Sequence, residues 1–313
     1  MKHINHKTGL YILLIFSMIF WGTSYVFTKI VLPCTNPITL IFTRLIISSA
    51  MLWLIIGLFK RKEKIAKSDW KYIIALSFFE PFLYFIGETY ALERVSPVIV
   101  SPVIATIPVF TALVMTTFYH VKLSKLNMVG IFFSFFGVVF MISNKNMQID
   151  VDGYGLLLLL LAVMSSVGYG LMITKLSGKI NAMLLIALQN TIGIFLFLPL
   201  WLFWGEPITY SHLLTTPWIN LSPTIVFWLC VLILAIFSSS LAFMFYSMAV
   251  AKIGISRAAV FTNLIPIFTA ITAYFLTGEI LSPLKMTGIL IIITGVVLTQ
   301  SEKAGNKKHT STL

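Results

Sequence analysis

Apolar residues fill long runs along this chain, and polar residues gather between them. The runs fall near 9–31, 37–59, 70–92, 96–118, 125–143, 153–174, 182–203, 223–248, 256–277 and 283–300. A helix needs about 20 apolar residues to cross a bilayer. Only helices and closed barrels satisfy their backbone in lipid. These runs are too long for barrel strands and lack period-2 alternation. The pattern therefore predicts an all-α integral membrane protein with ten transmembrane helices.

Composition agrees. Of 313 residues, 58% are hydrophobic and 10% charged, against roughly 25% charged in soluble domains. The first run is long enough to stay as a span, and no small-residue cleavage site follows it. The net charge of +12 does not point to nucleic acid, because the basic residues lie in short connectors and not on one soluble face. Cys34 and Cys230 have no metal-ligand spacing and read as core or loop thiols.

The connectors differ in charge. With the N-terminus inside, inner segments hold seventeen Lys and Arg and outer segments hold four, namely Lys29, Arg94, Lys145 and Lys285. By the positive-inside rule both termini are cytoplasmic. The expected location is the cell (inner) membrane. The connector near 204–222 has no Lys or Arg and carries Trp204, Tyr210 and Trp218, so it reads as an outer loop at the interface.

The chain also resembles itself. "SPVIATIPVFTA" (101–112) matches "AVFTNLIPIFTA" (259–270) at an offset of 158, with Pro108 on Pro266 and Thr111 on Thr269. The same offset places Gly130 on Gly288 and the "GVV" at 137–139 on that at 295–297. The first helices match at offset 146, with Gly22 on Gly168 and Lys29 on Lys175. Each copy holds five spans, an odd number, so the second enters from the opposite side. Two inverted five-helix repeats are expected, over 1–148 and 149–302, followed by a polar cytoplasmic tail at 303–313. Inverted repeats are an architecture of secondary transporters, with the site near the midplane.

Several stretches then resemble the drug/metabolite transporter superfamily in its EamA-type branch. They are "FWGTSYVFTK" (20–29), "FTRLIISSA" (42–50), "YALERVSPVIVSPVIATIPVFTALV" (90–114) and "GISRAAVFTNLIPIFTAITAYFLTGEILSPLKMTGILIIITGVVL" (254–298). The resemblance covers nearly the whole chain. It implies ten helices, two EamA repeats and export or exchange of small metabolites. One place departs from it: His120 and Val121 stand where the second half has Gly278 and Glu279.

Candidate site residues follow from charges placed in apolar runs. "SFFEPFLYFIGETYAL" (77–92) holds Glu80 and Glu88. Glu80 lies at mid-depth, where an ionisable residue normally faces the bundle interior and serves function. The competing reading is a structural acid bonded to a neighbour. Pro81 loosens the helix beside it. Glu88 lies roughly 12 Å further along, where an interfacial acid and a coupling group compete. Tyr84 shares the face between them. Arg44 falls between the two acids in depth. It either pairs with one of them, which lowers the cost of burial, or receives a substrate carboxylate.

Trp21 and Tyr25 share a face of the first helix; Gly22 between them reads as packing. Ser238 stands opposite Glu80 under the 158 offset, and Tyr246 opposite Glu88. Thr262 and Asn263 precede the expected kink at Pro266, and Pro97, Pro102 and Pro108 kink the fourth helix. Gln189 and Asn190 add a polar patch, Lys29 is expected to snorkel, and Asp150 and Asp152 read as a solvated loop.

The expectation is a secondary transporter of small organic metabolites such as amino acids, moving them outward by alternating access. Glu80, Tyr84, Arg44, Trp21, Tyr25, Ser238 and Asn263 are the expected binding residues, with Glu80 and Glu88 coupling transport to protons. Efflux of lipophilic cationic drugs is the alternative. A non-transport membrane protein is a third, but a membrane enzyme would need clustered His, Asp or Cys near one face, and a sensor a soluble output domain. No Walker motif supports direct ATP drive. No cofactor is expected. The partners are a small-molecule substrate and the lipid bilayer, with a monomer or homodimer as the acting unit.

Overall fold

The computed structural model describes residues 6–59, 63–120, 124–143, 151–210, 213 and 221–300. Each apolar run is helical. Helices α1 (His6–Val31) and α2 (Pro37–Leu58) are joined by a short 3-10 turn. Helix α3 runs in three pieces, Trp70–Ser77, Phe78–Leu83 and Tyr84–Arg94. Helix α4 has two, Pro97–Ile104 and Ile107–Tyr119. Helices α5 (Lys125–Ile142), α6 (Gly153–Leu176) and α7 (Ala182–Trp204) are continuous. Helix α8 combines Pro223–Ile233, Leu234–Ala242 and Phe243–Ile253. Helix α9 combines Ile255–Val260, Phe261–Leu264 and Ile265–Thr277, and α10 is Pro283–Gln300. Among the described residues, seven helices are long and apolar enough to cross a membrane. Among the described residues the only β feature is an isolated bridge between Ser177 and Ile180.

Side chains are distributed as in lipid. Phe132 and Phe136 on α5, Phe195 and Phe203 on α7 and Leu290 on α10 stand exposed, while Arg44, Ser48, Gln189 and Asn190 are buried. Water would favour the reverse. Hydrocarbon gains nothing from burying Phe and penalises each polar group left facing it.

Local chemistry sets the helix starts. Asn36 caps α2 by accepting from the Thr39 amide, with Pro37 at the first turn. Ser124 and Asn127 form a reciprocal capping box on α5. Asp152 caps α6 through the Gly155 amide at 2.8 Å and pairs with Arg94 at 3.2 Å. Asp152 is therefore structural and not a free loop acid; Asp150 lies outside the described residues. The expected interfacial connector is a strap. The Thr209 amide donates to the Cys34 carbonyl at 2.7 Å, and Thr39 Oγ1 bonds Glu206 at 3.0 Å, tying residues 205–210 to the α1–α2 corner. Trp218 lies outside the described residues.

The breaks in α4 and α9 fall as the prolines predict. Pro108 and Pro266 each open the second piece, where a missing N–H costs nothing. Both helices end on a left-handed residue, Gly278 (φ 68°) in α9 and His120 (φ 54°) in α4. Glycine takes that conformation freely and histidine does not, so the departure at His120 keeps the backbone turn and changes only the side chain. Val121 lies outside the described residues.

Helices α5 and α10 touch backbone to backbone. A Cβ on Gly130 would stand 2.5 Å from the Gly295 carbonyl oxygen, and one on Gly137 2.9 Å from that of Gly288. Only glycine permits this approach.

Candidate functional site

The polar interior is assembled by α1, α2, α3, α6, α7 and α8. Its centre is the interruption in α3. Pro81 has no N–H to donate, and the residue before a proline is pushed out of the helical region. Glu80 accordingly sits at φ −144°, ψ 118°, and its peptide bond to Pro81 is cis. The turn widens to a π-helical segment over Phe78–Leu83. Glu80 is thereby displaced from the regular spiral and is buried. Among the described residues no donor engages its carboxylate.

Four tyrosines lie within electrostatic range of it. Tyr25 (α1), Tyr84 (α3), Tyr169 (α6) and Tyr246 (α8) are all buried and all interact electrostatically with Glu80. The hydroxyls of Tyr25 and Tyr84 meet at 3.1 Å. The Tyr169 hydroxyl has no partner among the described residues. Trp21 completes the wall, 5.1 Å from the Phe243 ring and 5.2 Å from that of Tyr246.

Arg44 is 1% exposed, and the expected ion pair with a glutamate is not formed. The only salt bridge among the described residues is Arg94–Asp152. Arg44 Nε donates to Ser239 Oγ at 2.9 Å and Nη2 to Ser238 Oγ at 3.3 Å, while its guanidinium carbon lies 4.2 Å from the centre of the Phe85 ring. Nη1 has no partner. The serines come from a second π-helical segment, Leu234–Ala242 of α8. Neutral hydroxyls can approach a cation with no charge of their own to desolvate, which is why Arg44 takes them when no carboxylate is within reach. Asn190 of α7 extends the network, donating to Ser48 Oγ at 2.6 Å and to the Ser239 carbonyl at 3.0 Å. Gln189 is fully buried with both amide atoms unpartnered.

Glu88 is not the interfacial acid its sequence position suggested. It is 2% exposed, has one oxygen without a donor, and is the acid that acts most strongly on Arg44. The packing of α1, α2 and α6 on α3 covers what the hydropathy pattern places near an edge. Asn263 is buried in the 3-10 piece of α9 with its amide unpartnered. It lies at the kink, as expected, and no contact joins it to Glu80 or Arg44. Gly22 is a packing residue: its carbonyl accepts from Thr269 Oγ1 of α9 at 2.9 Å. The Lys29 ammonium donates to the Leu92 and Glu93 carbonyls at the end of α3.

Sequence reasoning passed over Tyr169, Ser239 and Phe85. Tyr169 carried a readable signal, a polar-tipped ring between two glycines inside an otherwise apolar span. Ser239 carried none, because three consecutive serines do not say which one faces an arginine on another helix. Among the described residues no cluster of three or more His, Cys, Asp or Glu is placed to hold a metal.

The buried interior therefore holds, among the described residues, a carboxylate with no donor, a guanidinium nitrogen with no partner and several aromatic rings. Groups able to grip an oriented small molecule are present.

Known proteins agree with that reading. An Archaeoglobus fulgidus protein named "Uncharacterized transporter" is 27% identical over 304 residues, covering 96% of this chain and 99% of its own. Bacillus subtilis "Uncharacterized transporter YyaM" is 24% identical, covering 95% of this chain and 94% of its own. A solved crystal structure superposes with a TM-score of 0.64 at 14% identity, over 93% of this chain and 96% of that one, which supports the fold alone. The sequence profile of the EamA-like transporter family matches residues 8–143 and again 153–300. With nearly its whole length accounted for in this way, this multi-pass membrane protein belongs to the EamA-like transporter family.

Proposed function

We propose that the chain is an alternating-access exporter of small zwitterionic metabolites such as amino acids, with the Lys-rich face cytoplasmic. The observation that carries this reading is Glu80, buried with no donor among the described residues and within electrostatic range of four tyrosines. An unpartnered buried carboxylate is costly unless a cation or proton comes to it. A substrate ammonium would sit against Glu80 and the tyrosine faces, and its carboxylate would meet Arg44 Nη1. Tyr84, Tyr25 and Trp21 shape the wall, and Ser238 holds Arg44 in place. Glu80 and Glu88 would take up protons as substrate leaves.

The rocking units are the two inverted halves, 1–148 and 149–302. The α5–α10 seam supports them. Gly130 meets Gly295 and Gly137 meets Gly288, and the 158-residue offset exchanges one pair for the other. Self-exchanging contacts are the mark of a two-fold axis. The pairs run in opposite directions along the two helices, so that axis would lie in the membrane plane.

Purified protein in proteoliposomes tests the site. Glu80→Gln should abolish substrate flux while leaving folded yield and thermal midpoint near wild type. Unchanged flux would remove Glu80 from the mechanism. The aromatic wall favours a second reading, efflux of lipophilic cations. Under it a cationic dye would be carried and amino acids would not compete.

A further inference from the structure

We infer that Lys29 and Lys175 are paired gate latches, one closing each mouth of the polar interior, and that this structure holds the Lys29 latch shut and the Lys175 latch open. The inference rests on the transporter reading and its two-fold arrangement. Lys29 reaches from α1 to the last carbonyls of α3, at Leu92 and Glu93. A cation at a helix C-terminus meets both unpaired carbonyls and the negative end of the dipole. The contact ties α1 to α3 at the mouth opposite the Lys-rich face, and Arg94–Asp152 ties α3 to α6 beside it.

The sequence offsets supply the mate. Lys29 corresponds to Lys175 at 146, and Leu92 and Glu93 correspond to Val250 and Ala251 at 158. The mirrored contact would run from Lys175 on α6 to the end of α8. It is not made: the Lys175 ammonium lies instead 5.1 Å from the centre of the Tyr72 ring. A cavity of about 430 Å³ lies beside the end of α8, its lining including Glu63, Gly178, Asn181, Ser247, Ala251 and Lys252, with the Asn181 amide donating to Glu63. The mate is still within range. A Cβ on Gly178, three residues beyond Lys175, would touch that of Ala251 at 3.6 Å. One contact is thus made and its equivalent is not, as alternating access requires of a single state.

The test reads the gates directly. Thr89 near the latched mouth and Ser247 at the cavity are equivalent at offset 158, and Thr89 is fully buried. In a background with Cys34 and Cys230 changed to Ala, Thr89→Cys and Ser247→Cys would be labelled separately with a soluble maleimide in nanodiscs. Adding Lys29→Ala should raise labelling at 89 roughly tenfold and lower it at 247, the factor expected from one charge-assisted hydrogen bond. Lys175→Ala should lower labelling at 89, and Lys29→Arg, which keeps a donor, should restore the parent pattern. Equal increases at both positions, or no change at either, would overturn the latch. Labelling needs no substrate, so a latch that works in a protein without flux would count against the transport reading alone.

Discussion

Helix α3 widens to a π-helical turn over Phe78–Leu83, and α8 does so over Leu234–Ala242, stretches that coincide under the 158-residue offset. The causes differ. In α3 the break is covalent: Pro81 removes a donor and forces Glu80 off the helix. In α8 there is no proline. Ser240 Oγ donates to the Ala235 carbonyl five residues back at 2.9 Å, Asn190 takes the Ser239 carbonyl, and Ser17 of α1 takes that of Ala242 at 3.0 Å. Side chains staple open what proline props open in the other half. The outcomes differ too. The α3 break presents an acid with no protein partner, whereas the α8 break presents hydroxyls that are already engaged by Arg44. One break carries a carboxylate, and the other holds the Arg44 guanidinium through its hydroxyls.

The largest effect is expected from closing the α3 break. Pro81→Ala restores the missing donor and should let α3 run as regular helix, turning Glu80 out of the polar interior. Flux should fall at least tenfold while the thermal midpoint holds or rises, since proline inside a helix costs about 3 kcal/mol relative to Ala. Unchanged flux would show that Glu80 does not need the break. Next, Ser238→Ala with Ser239→Ala removes both acceptors from the buried guanidinium. A loss of about 2–4 kcal/mol in stability is expected, read as a lowered unfolding midpoint; an unshifted midpoint would mean that Arg44 finds a glutamate instead.

The smallest effect should come from outside both breaks. The Gly155 amide, with Arg94 nearby, holds the Asp152 carboxyl below the usual carboxylate range. A lowered value in the folded state means that its contribution is present above that range and is lost as pH falls through the lowered value. Asp152→Asn should therefore flatten the acid limb of a midpoint-against-pH curve and leave flux unchanged. A variant that still shows the wild-type acid decline would assign that decline to another group.

Much of this was legible residue by residue. The apolar runs are helical among the described residues because lipid leaves the backbone no other way to satisfy itself over such lengths. The breaks at Pro81, Pro108 and Pro266 were readable because proline acts on its own chain neighbours and needs no tertiary partner. Glu80 stood out for the same reason: a carboxylate in a run of Phe and Leu is anomalous whatever surrounds it. The α8 break was not legible, since nothing in "FSSSLAFMFY" reports that Asn190 and Ser17 will take its carbonyls.

The sequence by itself determined the helices, their proline breaks and the charges that had to be housed. Tertiary structure alone decided that Arg44 bonds two serines and no glutamate, that Glu88 is buried, that Tyr169 joins the polar interior and that Lys29 closes on α3. These four outcomes depend on distances between helices far apart in the chain. A side chain's partner in lipid is whichever polar group packing brings within hydrogen-bonding range, and that is a property of the assembled bundle.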